Sequence, residues 1–256
     1  NLDRVARVGE MEMPLEGGVR GRVRFTGSAE SPIMDGTFSG EELRFGSLTF
    51  AAAESSFRYG DLSLAGDVRL LEGGREVLRV SGSVPADLRF QSGFPSLPDA
   101  PVSLDVRVDS FPAAIPLAMV PVMEDVEGTL SGEFHLGGTS RDLQPSGDLR
   151  LRNGSVLLPP LGVRYQGVEA DFGLNPDARI DVEGRARARG VAEVTGSVTL
   201  DPVADPALDL TIQAQDFLAT ARRDVEARIT GEVQVTEHYR RPRVEGGLAG
   251  NQGGLM

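Results

Sequence analysis

The chain has 256 residues and a formal net charge of −12, a balance that argues against a nucleic-acid reader, which needs a basic face to replace counterions, and against adhesion to an anionic membrane by charge alone. Hydrophobic residues make up 40% of it, enough for a sizeable buried surface, while the absence of Cys excludes a disulfide framework and a thiolate metal site. The apolar mass is Val, Leu, Ala and Ile, with no Trp and few aromatics, whereas an ordinary globular core takes much of its bulk from large rings. Every basic residue is Arg, which we attribute to composition bias and which excludes a phosphate loop of the Lys-bearing kind. No apolar run reaches the roughly 18 residues of a membrane-spanning helix, and no signal-peptide pattern is visible. The chain starts at Asn1 inside a patterned region and reads as a piece of a longer protein, with any anchor elsewhere.

The predicted elements are strands from one end to the other. Val19, Gly21 and Val23 alternate with arginines, and Met34, Gly36 and Phe38 follow after a polar loop. Leu64, Gly66 and Val68 lead to a turn at Gly73 and Gly74. Leu78, Val80, Gly82 and Val84 then share one parity, and Arg79, Ser81 and Ser83 the other. Period two places each set on one face of a strand, so one face is dry and the other wet. Val102, Leu104, Val106 and Val108 continue the pattern against Ser103, Asp105, Arg107 and Asp109, whose charges read as cross-strand ion pairs.

The one candidate helix is 111–124, interrupted by Pro112, Pro116 and Pro121; it reads as a short apolar turn packed on the dry face. Leu130, Gly132 and Phe134 resume the strands. Asn153-Gly154 reads as a hairpin turn, as do Asn175-Pro176-Asp177, Asp201-Pro202 and Asp205-Pro206. Val194, Gly196 and Val198, then Ile229, Gly231 and Val233, then Val244 and Gly246 complete the series. The count is well over ten strands at roughly ten-residue spacing.

Two features stand out. Glycine recurs on the dry parity in mid-strand, where it costs stability, so it marks either bending with close approach of a neighbouring backbone or a tightly filled sandwich core. A longer repeat is also present: 125–136 resembles 224–235, with 15–25 as a third copy, and 101–111 resembles 206–217. The period is roughly 100 residues, giving approximate modules at 1–100, 101–204 and 205–256, stacked quasi-one-dimensionally.

No constellation for catalysis emerges. His135 sits on a wet strand face beside Glu133, His238 lies in a polar loop, and no Gly-x-Ser-x-Gly elbow exists. The carboxylates alternate with Arg, so a glycosidase pair is disfavoured. Without helices to cover it, the dry face must be covered otherwise: by a second layer, or by folding over into a groove. In a groove, acyl chains would gain about 0.8 kcal/mol per buried methylene. The lining would be Val80, Gly82, Val84, Leu130, Gly132, Phe134, Val194, Gly196, Val198, Ile229, Gly231 and Val233, forming one continuous surface. No cofactor or metal is expected. The alternative is a structural or adhesive envelope repeat with a filled core and no ligand.

The strand at 208–217, the glycine-bearing strand at 225–235, the return at 242–246 and the run at 154–163 resemble, in their order, the C-terminal β-rich region of the TamB and AsmA-like family of Gram-negative envelope proteins. The likeness covers most of the chain. It implies an all-β, long antiparallel or solenoid-like sheet of repeated modules folded over an apolar groove, a β-taco. It also implies a periplasmic location, an inner-membrane anchor outside this chain, phospholipid as the cargo and an outer-membrane β-barrel of the assembly type as partner.

Overall fold

The computed structural model describes residues 15–45, 48–89, 97–117, 123–200, 205–222 and 226–252. Period-two patterning favours strands, and short polar connections favour antiparallel neighbours. The strands are β1 Leu15–Gly27, β2 Pro32–Phe45, β3 Leu48–Gly60, β4 Ser63–Glu72, β5 Arg75–Pro85, β6 Ser103–Pro112, β7 Glu124–Gly138, β8 Leu143–Leu158, β9 Val163–Leu174, β10 Arg179–Ala188, β11 Gly190–Thr199, β12 Ala207–Ala221, β13 Glu226–His238 and β14 Arg241–Gln252. They lie in one antiparallel, unclosed sheet in sequence order. The all-β expectation holds, and the strand order is that of a repeated, solenoid-like sheet. The chain divides into two compact units, Asn1–Asp109 with Glu133–Gln144, and Ser110–Gly132 with Pro145–Met256.

The turn at Gly73-Gly74 forms as expected. Both residues have positive φ (56° and 81°), which a two-residue hairpin between right-twisted strands requires, and Glu72 pairs with Arg75 across it. The turn at Asn175-Pro176-Asp177 separates β9 from β10, and Asp205-Pro206 precede β12. Asp201-Pro202 lie outside the described residues.

Asn153-Gly154 is not a hairpin turn. Asn153 takes φ 53° inside β8, and the β8–β9 register shifts between Leu151 and Gly154. This is a β-bulge. Asn tolerates the left-handed region in a bulge as readily as in a turn, so the dipeptide alone cannot choose. The chain reverses instead at Pro159–Gly162, where the Leu161 and Gly162 amides donate to the Leu158 carbonyl at 3.0 Å each.

The short helical turn expected within 111–124 forms as α1 Ala114–Leu117. Phe111 and Pro112 end β6 and Glu124 begins β7; 118–122 lie outside the described residues. The turn still packs as expected on an apolar face: Ala113, just before it, is fully buried against Leu151 and Ala170, with Leu130 and Phe172 around them. Its amide donates to the Gly128 carbonyl at 3.0 Å.

The internal repeat is visible in geometry. Ser110 and Asp216 occupy equivalent places near the ends of β6 and β12, both with positive φ (55° and 47°). The Ser110 amide donates to the Ser131 hydroxyl at 2.9 Å, and the Asp216 amide to the Thr230 hydroxyl at 3.0 Å. The next residue in each, Phe111 or Phe217, is buried. The residue after each hydroxyl, Gly132 or Gly231, also has positive φ. Each copy thus redirects an aromatic ring inward at a latched irregularity. The 15–25 copy has Arg20 where the hydroxyl would stand, so it lacks the latch.

Removing one latch should cost the strength of one hydrogen bond. Thr230→Val is expected to lower unfolding stability by about 1 kcal/mol in urea denaturation, with Thr195→Val, an exposed Thr on β11, changing it by less than about 0.5 kcal/mol. Equal effects would show that the hydroxyl bond contributes nothing specific.

Candidate functional site

In the first unit, pairing aligns dry-parity residues in rows. Gly21, Phe38, Ser55, Val68 and Val80 form one row across β1–β5, and Val23, Gly36, Phe57, Gly66 and Gly82 the next. Glycine and phenylalanine alternate here for a steric reason. A Cβ on Gly21 would strike the Phe38 ring, and one on Gly36 the Phe57 ring. The two rings stack with centroids 5.8 Å apart. The middle of this face is open, with Phe25 62% exposed, Phe38 40% and Val68 41%, while Tyr59, in the same row as Phe25, and Leu43 are buried. Val80, Gly82, Val84 and Phe134 are half-buried.

The second unit carries a parallel arrangement. Val194 is joined through Ile212 to Val233, and Gly196 lies between Val182 and Leu210. Val194, Val198, Gly231 and Val233 are half-buried, whereas Gly196 is exposed. Leu130 and Ile229 have a different setting: they pack against closed clusters of buried side chains. Gly132 is half-buried on β7.

The largest of these clusters joins Val163, Tyr165, Ala188, Ala192, Ala214, Phe217 and Leu218 from β9 to β12. β9 and β12 are not sheet neighbours, yet Tyr165 and Phe217 stack at 5.3 Å. The Tyr165 hydroxyl donates to the Ala219 carbonyl at 3.2 Å and the Ala221 amide to the Leu161 carbonyl at 2.9 Å. The sheet therefore folds over its apolar side here, and the fold is filled. Ala188 and Ala192 on the intervening strands, with Ala214 on β12, leave the room. Burial also raises the Tyr165 phenol pKa above its ordinary value. The alternation patterns point to the glycines alone; clustered alanines beside Tyr165 and Phe217 are the signal that finds this core.

Gly82 and Gly196 show what the mid-strand glycines do. Their φ values are 139° and 141°, a region that side chains rarely enter. A Cβ on Gly82 would collide with the Ser103 carbonyl, and one on Gly196 with the Asp209 carbonyl. Close backbone approach is therefore their physical reason, alongside the ring seats at Gly21 and Gly36.

The wet face is laced by ion pairs. Arg107 bonds Glu133 at 2.7 Å and His135 meets Asp105 at 2.9 Å, the cross-strand pairs expected of this alternation. Asp67 lies between Arg69 and Arg79, each at 2.9 Å. The Arg69 hydrogen bond, opposed by partial desolvation and helped by Arg79, holds the Asp67 carboxyl below its ordinary value. His238 is not in a loop: it ends β13 opposite Arg241, its Nδ1 2.9 Å from the Asp205 carbonyl. Alternation carried the strand through it. Among the described residues no group of three or more His, Asp or Glu could hold a metal, and no helix is long and apolar enough to cross a membrane.

Two tests follow from this geometry. Phe217→Ala empties the folded end and should cost about 3–5 kcal/mol by chemical denaturation; a loss under about 1 kcal/mol would mean that the cluster does not hold the fold. Asp67 has a depressed folded pKa, so its contribution is present above the ordinary value of 3.8 and is lost as pH falls through the lower folded value. Asp67→Asn should flatten the acid limb of a stability-versus-pH curve, and an unchanged limb would count against the Arg69 and Arg79 contacts.

No curated protein and no solved structure matches the chain. A family model described as the TamB C-terminal domain matches residues 180–254, the stretch that holds β10 to β14 and the filled fold between β9 and β12 in part. The match is in line with the resemblance read from the strands at 208–217, 225–235 and 242–246, and leaves the rest of the chain unmatched.

Proposed function

We propose that this chain is a segment of a periplasmic envelope-assembly protein that holds phospholipid acyl chains passively on its apolar sheet face. The observation that carries this is the open face of the first unit, where Phe25, Phe38 and Val68 stand in solvent beside Val80 and Val84. Soluble monomers keep contiguous apolar patches to a few hundred Å², so a face continued over several strands calls for an apolar occupant. Each buried methylene would contribute about 0.8 kcal/mol, with headgroups left in water. No side chain does chemistry in this mechanism. The TamB C-terminal domain supports the envelope role, and with it the expectation of an inner-membrane anchor outside this chain and an outer-membrane β-barrel partner.

The acyl chains would lie on the open rows around Phe38 and on the half-buried rows of Val194, Val198 and Val233. Leu130 and Ile229, which pack on closed clusters, serve the fold. Those clusters favour a second reading for the same chain, a structural envelope repeat whose interior is filled and takes no ligand.

Photo-crosslinking in cells separates the two. A photoreactive residue replacing Phe38 is expected to capture phospholipid, and one replacing the exposed wet-face Ser103 is not. Val198→Asp should reduce lipid capture with little change in melting temperature, because a groove wall can hydrate the carboxylate. A large fall in melting temperature, with no lipid captured at Phe38 in the parent chain, would establish the filled repeat instead, since burying an unpaired charge in a core costs several kcal/mol.

A further inference from the structure

The opposite, polar face of the first unit carries a feature that the lipid reading does not use. Arg20, Arg22 and Arg24 alternate along β1 and are exposed, about 7 Å apart as alternate strand residues. Among the described residues none of the three has a carboxylate partner, in contrast to Arg58, Arg69, Arg79 and Arg107 on the same face. Across the sheet from Arg20 and Arg22 stand small hydroxyls, whereas Arg24 faces Asp35, which Arg58 holds. Arg20 pairs in register with Ser39 and Arg22 with Thr37, and Thr37 with Ser56 on β3. Short side chains between long ones leave a hollow of about 550 Å³, with Asp67 and Arg69 at its far side. A second hollow of about 640 Å³ shares Arg20 and Ser39 with it. The second also carries Glu41 and Glu42 beside Arg44, so the cationic trough is the first hollow alone, of the size that small ligands occupy.

Its charge is opposite to that of the chain. Around the first hollow Arg20, Arg22 and Arg69 against Glu54 and Asp67 give three positive and two negative charges, a local balance of +1 in a chain of −12. Asp67 is already satisfied by Arg69 and Arg79, so it does not neutralise the β1 arginines. Guanidinium forks with adjacent hydroxyl donors match the oxygens of a phosphate. Glu54, on the trough wall, is placed to accept from a ligand hydroxyl.

We propose that this trough binds a phosphorylated polyol, with the phosphate on Arg20 and Arg22 and the hydroxyls toward Thr37, Ser39 and Glu54. A glycerophospholipid headgroup and a free polyol phosphate share that chemistry. The site lies on the face opposite the apolar one, so it stands or falls separately from acyl-chain binding.

The test titrates the whole chain with sn-glycerol 3-phosphate at fixed ionic strength, followed by amide and arginine side-chain NMR shifts. Saturable shifts confined to Arg20, Arg22, Thr37, Ser39 and Ser56, absent with glycerol, are expected. Arg20→Gln/Arg22→Gln should weaken binding at least about tenfold, the loss of a charge-assisted contact, and Arg58→Gln less than about twofold. Flotation with phosphatidylglycerol vesicles is the second arm. Flotation lost in the double variant, without saturable binding of the soluble phosphate, assigns the site to lipid headgroups; the reverse assigns it to free polyol phosphate. Shifts that stay linear, together with flotation that the double variant leaves unchanged, overturn the proposal. So does equal weakening by Arg58→Gln, which would report general charge and not a site.

Discussion

Cross-strand register is the constraint on which the rest depends. Each strand sends alternate side chains to opposite faces, and a slip of one residue would exchange the two faces. In this chain the register keeps Val194 opposite Ile212 and Ile212 opposite Val233, while Glu193, Gln213 and Glu232 fall together on the other side. Hairpin follows hairpin, so the rows are handed on from strand to strand. An apolar surface without helical cover is the direct consequence, because the single helical turn at Ala114–Leu117 covers only a small part of it.

The sheet deals with that surface in three ways. Where β9 and β12 come together over alanines, Tyr165 and Phe217 fill the space, and the fold-over becomes an ordinary packed core. Where β1 to β3 run side by side, glycine makes room for a neighbouring ring, as Gly21 does for Phe38, and the rings stay partly in water. Elsewhere the chain bends at glycines with positive φ, such as Gly82 and Gly196, so that backbone rather than side chain approaches the next strand. Filled and open stretches therefore coexist on faces of the same parity.

The polar face has its own logic. Most of its arginines are consumed by neighbouring carboxylates, exemplified by Asp67 between Arg69 and Arg79. Exposed pairs of this kind contribute little stability each; their larger effect is to keep an acidic sheet evenly charged and soluble. Against that background Arg20 and Arg22 of β1, which have no ion-pair partner among the described residues, are a departure from the pattern, and the small hydroxyls opposite them turn the departure into a concave one.

The all-β class, the dry parity and the roughly 100-residue repeat were legible in the sequence by itself, because period-two alternation and recurrent glycines are local signals. The likeness at 208–217 and 242–246 was legible for the same reason. Three things were decided only in the tertiary structure. Asn153 could open a turn or a bulge with the same left-handed backbone, and the pairing of β8 with β9 on both sides chose the bulge. Leu130 and Ile229 carry the same pattern as Val194 and Val233, but what covers a side chain depends on strands far away in sequence, and α1 and the β9–β12 fold bury their surroundings. The hollow beside Arg20 and Arg22 arises from Ser39, Thr37 and Ser56 on two other strands, and no reading along one strand can bring those side chains together.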